Sequence, residues 1–271
     1  MHLTHSLARI APAGLLLLAP AASAHGPFTG DGQERLTGSL TALMLAAFWA
    51  AYLRGAWRRP PAASALLGFH LAAVLCVAAL LGPLDDWAKT STAAHMVQHM
   101  MLMVVIPPLW VLSRPLPQIA AGTGAAGAML WTPMLRLARH PLYAAYLHGG
   151  LIWFWHLPTF YMLAVEHPWW HAFEHACFLL SGGVFWWAIL RASRQNAAWA
   201  LLALLLTLMH TGFLGAILTF AHTPLYGEAR SLADQQLAGL IMWVLGGIAY
   251  LVASAWISNR WYGQLLRDQR L

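Results

Sequence analysis

Long apolar runs separated by short polar ones dominate this chain. Seven of them, at about 37–57, 62–84, 92–112, 141–161, 168–190, 198–221 and 232–257, approach the roughly 20 residues a helix needs to cross a hydrocarbon core of about 30 Å. A shorter run, IAPAGLLLLAPAA, follows Arg9 and leads into Ala22-Ser23-Ala24. A basic start, a brief apolar core and an A-x-A-like site describe a secretory signal over residues 1–24. The pattern predicts an all-α, polytopic membrane helical bundle: seven transmembrane helices after a cleavable signal peptide. An external tail is expected at 25–36, the seven-helix domain at 37–257 and a cytoplasmic tail at 258–271.

Composition agrees, with 60% hydrophobic and 9% charged residues against roughly 25% charged in an average soluble domain. The few charges orient the chain. Eleven of the arginines from Arg54 onward fall on the inner side, while only Arg35, Lys89 and Arg230 fall outside. Asp85, Asp86, Glu174 and Asp234 lie at or just beneath the outer boundary. The net charge of +6 is therefore topology, and no nucleic-acid partner is expected. Cys76 and Cys177 are far apart in apolar runs and read as buried small hydrophobes. Gly122, Gly124 and Gly127 spell a dinucleotide fingerprint, but that motif needs a strand before it and a helix after it. Here it falls in an alanine-rich loop between two spans, followed by a stretch expected along the inner interface.

Histidine placement carries the chemistry. His95 and His99 open the third span, and His171 and His175 lie at matching depth in the fifth. His156 lies near the outer end of the fourth. At 1.5 Å per residue these rings share one layer, roughly 4–11 Å below the outer surface. Neighbours at i,i+4 are about 6 Å apart on one helix face, close enough to share a metal ion. Ionisable residues inside a membrane are costly and usually functional. Lone His70, His148 and His210 are expected to hydrogen-bond a neighbouring helix instead. Met103 follows His99 at i+4 and is the best placed of several methionines to act as a soft copper ligand.

The blocks also repeat. His95-x-x-Gln98-His99 parallels His171-x-x-Glu174-His175, and His156-x-Pro158-x-x-Tyr161 parallels His222-x-Pro224-x-Tyr226. Such a repeat predicts two facing half-sites, or one site shared between them. Imidazole suits copper, zinc and iron alike. His171-x-x-Glu174-His175 matches the H-x-x-E-H zinc-protease motif, so a zinc hydrolase is one alternative. Axial ligation of haem by paired histidines is another.

Four blocks in order resemble the CtaG family of cytochrome c oxidase assembly factors. They are HMVQHMMLMVVIPPL from His95, WHLPTFY from Trp155, HAFEHACFLLSGGVFW from His171 and DQQLAGLIMW from Asp234. The resemblance covers roughly residues 37–257. It implies a multi-span protein of the bacterial inner membrane that assists oxidase biogenesis without being an enzyme, with copper insertion near the outer, periplasmic face. The oxidase catalytic subunit and periplasmic copper carriers are the implied partners. Carried over by motif position, the implied metal ligands are His95, His99, His156, His171, His175 and Asp234. Cleavage after Ala24 would leave His25 first, where amine and ring together can chelate copper(II).

Overall fold

The computed structural model describes residues 30–227 and 230–268, all helices and connections, with no strand among them. The expected signal peptide and His25 lie outside the described residues. Helix α1 spans Gly32–Arg58, α2 Ala63–Leu81, α3 Pro83–Thr90, α4 Thr92–Ser113 and α5 Leu116–Leu137. Helix α6 spans Pro141–His156, α7 Pro158–Glu166, α8 Pro168–Leu190, α9 Ala197–Phe220 and α10 Leu232–Asp268.

Among the described residues, six helices (α1, α2, α4, α8, α9 and α10) are long and apolar enough to cross a membrane. The segment expected at 141–161 is not one continuous helix. Leu157 adopts φ −65° and ψ 133°, the extended conformation favoured before proline, and splits it into α6 and α7. The 16 residues of α6 rise only about 24 Å. Two other boundaries move outward. The Asp31 carboxylate accepts from the amides of Gln33 and Glu34, both at 2.9 Å, and starts α1 at Gly32. Helix α10 continues past the expected end of its span to Asp268.

The segment expected as a loop is helical as well. Helix α5 contains the three motif glycines, and their roles are mechanical. A Cβ on Gly122 would lie 1.9 Å from the Ala51 carbonyl oxygen, so its absence lets α5 touch the α1 backbone. Gly124, at φ 71° and ψ −157°, breaks the helical path where a side chain would be strained.

Helices α4 and α8 form the centre, with 61% of each apolar stretch buried against 17% for α1. Their contact depends on Pro107. It has no amide to give the Met103 carbonyl, and α4 widens into a π-turn at Met101–Val105. The Trp186 indole of α8 donates to that freed carbonyl at 2.7 Å. Gly182, one turn earlier on α8, has no Cβ where one would meet Pro107 Cγ at 3.3 Å and the Met103 oxygen at 3.4 Å. The two helices are thereby pinned in one register. Outward faces of the peripheral helices are apolar, as at Leu43, Met44, Phe213 and Val252, which suits contact with lipid.

Candidate metal centre

Six and two residues before the π-turn, His95 and His99 project from α4 towards α8. His171 and His175 project back from α8, and His156 closes one side from the end of α6. Ring centroids are 4.2 Å apart for His95–His99, 4.1 Å for His171–His175, 5.1 Å for His95–His171, 6.0 Å for His99–His175 and 5.6 Å for His99–His156. The five rings predicted to share a layer meet in one cluster. Phe178, fully buried, supplies an apolar wall 4.6 Å from His99.

Glu174 lies within this cluster and is fully buried. Its Oε2 is 3.4 Å from His95 Nε2, and its Oε1 is 3.5 Å from His99 Nε2, without hydrogen-bond alignment. The ligand atoms offered by His95, His99, Glu174 and His175 all lie within 4.8 Å of one another. Bonds of about 2.0–2.1 Å to a tetrahedral ion would place its ligands roughly 3.4 Å apart, close to the two separations above.

The nitrogens and oxygens facing this point lack hydrogen bonds. His95 Nε2, both nitrogens of His99, the Nε2 atoms of His156, His171 and His175, and both Glu174 oxygens are buried with no hydrogen bond. Buried polar groups are almost always satisfied, so a convergent set of exceptions marks a place for an ion. Their outward-facing atoms are held in position. His156 Nδ1 donates to the Ile152 carbonyl at 2.7 Å, which leaves the neutral ring's Nε2 lone pair facing inward. His95 Nδ1 lies 3.2 Å from the Tyr161 hydroxyl, which accepts from Arg230 at 3.3 Å. Partners behind the ligands commonly fix ring orientation in metal sites.

A second group adjoins the first. Asp85, His171 and His175 also bring ligand atoms within 4.8 Å of one another, with Asp85 Oδ1 3.9 Å from His171 Nδ1. Gln98 occupies the repeat position matching Glu174, yet points the other way. Its amide donates to Asp85 Oδ1 at 2.9 Å and to the Ala79 carbonyl at 2.8 Å. Burial in α3 pushes the Asp85 carboxyl up to about 6, against the lowering effect of that hydrogen bond and of Lys89.

Asp234 is placed elsewhere. Its carboxylate accepts from Ser91 Oγ at 3.0 Å and from the amides of Thr92 at 2.5 Å and Ala93 at 3.3 Å. It thus caps the N-terminus of α4 from α10, where a negative charge complements the helix dipole. His222 is exposed, so the second half of the apparent repeat contributes no ring to the group. Tyr226 does contribute: it stacks on Tyr161 at 3.8 Å and bonds the His156 carbonyl at 3.3 Å. His148 bonds Ser181 of α8 at 2.8 Å, the neighbouring-helix partner expected of a lone membrane histidine, whereas His70 bonds the Leu66 carbonyl of its own helix at 2.9 Å.

All four resembling blocks supply parts of this one arrangement, and comparison with known sequences agrees. Residues 45–264 match the family described as cytochrome c oxidase caa3 assembly factor (Caa3_CtaG). The chain belongs to that family. Uncharacterized mycobacterial proteins are more distant relatives. One from Mycobacterium leprae is 25% identical over 198 residues, and one from Mycobacterium bovis is 27% identical over 198 residues. Each match covers 64% of this chain and 30% of the relative, so the chain spans under a third of those longer proteins. No solved structure matches. In this family member, Glu174 and Asp85 are the residues absent from the expected ligand set. Glu174 was visible as an outer-boundary acid, a repeat position and part of a protease-like motif but not as a ligand, and nothing in the sequence ties Asp85 to histidines 86 and 90 residues away.

Proposed function

We propose that this assembly factor binds copper as cargo and passes it to a cytochrome c oxidase catalytic subunit. The ion is held by His95, His99, Glu174 and His175, with His156 and His171 beside them. The observation that carries this reading is the convergence of buried, unpartnered nitrogens and oxygens on one point. Three imidazoles and a carboxylate suit copper(II) or zinc. The family's tie to an oxidase favours copper, whose natural sources would be periplasmic carriers. The site then faces the outer side of a bacterial inner membrane, as the charge distribution also favours. Asp234 acts through the position of α4 rather than as a ligand.

A zinc hydrolase is the second reading, favoured by a cavity of about 320 Å³ that reaches His171 and His175 and could admit a substrate. Metal analysis and an optical spectrum of the purified protein separate these. We expect copper at about one equivalent, with affinity reduced roughly 100-fold in His99→Ala and His175→Ala and unchanged in His70→Ala. A Soret band would point to haem instead, and zinc alone to the hydrolase. Equal loss from His70→Ala and His99→Ala would sink the metal centre altogether, because His70 bonds only its own helix.

A further inference from the structure

The cavity beside the histidines has a chemical gradient. Apolar side chains of α1, including Leu40, Met44 and Leu45, line much of it, and three acids line it as well: Glu34, Asp85 and Glu166. Lys89, its one lining cation among the described residues, is held by Glu34 at 3.3 Å and Asp86 at 3.0 Å, which offsets the ammonium charge. A cleft lined by acids concentrates cations. His171 and His175 line the same cavity, whereas His95, His99 and Glu174 do not.

We infer that Asp85, His171 and His175 form a second cation site, at the cavity, through which a divalent metal ion reaches the buried His95–His99–Glu174–His175 group. Three observations support the pair of sites. The donor atoms of the cavity group lie within 4.8 Å of one another. His175 is 5% exposed, and its Nε2 has no partner. His175 also belongs to both groups. A neutral imidazole offers one lone pair, so the two sites compete for it and cannot both be complete at once. The ion moves by ligand exchange: bonds to Asp85 and His171 are given up as bonds to His95, His99 and Glu174 form, while His175 stays attached. No electron changes hands. The cavity site is one of access, and the buried site is one of retention.

This inference rests on the buried centre proposed above, and cobalt(II) separates the two claims because its visible absorption reports coordination by nitrogen and oxygen. Full-length protein is mixed rapidly with cobalt(II), and the loaded protein is then challenged with EDTA. Wild type should take up one ion and yield it slowly. Asp85→Asn, whose amide oxygen still accepts from Gln98, should reach the same final stoichiometry but load roughly tenfold more slowly, and His171→Ala should also load more slowly. Ala176→Phe, which fills the cavity from an exposed lining position without removing a ligand, should also slow loading. His99→Ala should stop the ion at the cavity site, where EDTA removes it at once. If the first three variants load at the wild-type rate while the wild type retains one ion, the cavity site is overturned and the buried centre stands. If wild type takes up no cobalt, both fall.

Discussion

At Tyr161 a single hydroxyl joins Arg230, 3.3 Å away, to His95 Nδ1 at 3.2 Å. The ring itself is fixed by stacking on Tyr226. Tyr161→Phe keeps the ring and removes only the hydroxyl, so it should lower metal affinity about 10- to 100-fold by freeing the His95 imidazole. Asp234→Ala, measured beside it, should do the opposite. Losing the cap of α4 should cost about 1 kcal/mol of stability with metal affinity nearly intact. Calorimetric titration and thermal melts distinguish these outcomes, and a large loss of affinity in Asp234→Ala would restore that residue as a ligand. At this scale the histidines were legible because i,i+4 spacing puts two rings on one helix face wherever the helix packs. Asp85 was not legible, since its link to His171 is a side-chain approach of 3.9 Å that exists only in the folded bundle.

Elements were legible by composition and illegible where backbone chemistry intervenes. Hydropathy marks residues 141–161 as one span, yet Pro158 sets the conformation of Leu157 and divides it. Hydropathy is equally blind to the π-turn of α4, whose cause is the missing amide of Pro107. That turn matters because Trp186 and Gly182 meet it, and Gly182 lies two turns below His175 on α8. Gly182→Leu should force α4 and α8 apart. We expect a loss of about 1–3 kcal/mol in thermal stability together with weaker metal binding, although no ligand is touched. Undiminished affinity in that variant would mean that the register of these helices does not set the site.

For the whole molecule, a membrane bundle was legible from the outset, and the arginines carry the expectation of its sidedness. Six helices have the length and hydropathy to cross, and the short α6 decides the remaining parity. With α6 crossing, the C-terminus lies on the opposite side from residue 30. A reporter active only in the cytoplasm, fused after Leu271, should therefore work, and a periplasm-specific reporter working there would remove α6 from the crossings. Glu174 and its surrounding imidazoles have one further consequence, which is thermodynamic. A bound ion satisfies atoms that otherwise sit unpaired in a low-dielectric interior, so affinity for cargo is also folding free energy. At a free ion concentration 100 times Kd, that linkage amounts to about 2.7 kcal/mol. Under the proposed function, such a carrier is sturdier laden than empty, and each delivery must be downhill enough at the recipient to offset what the donor gives up.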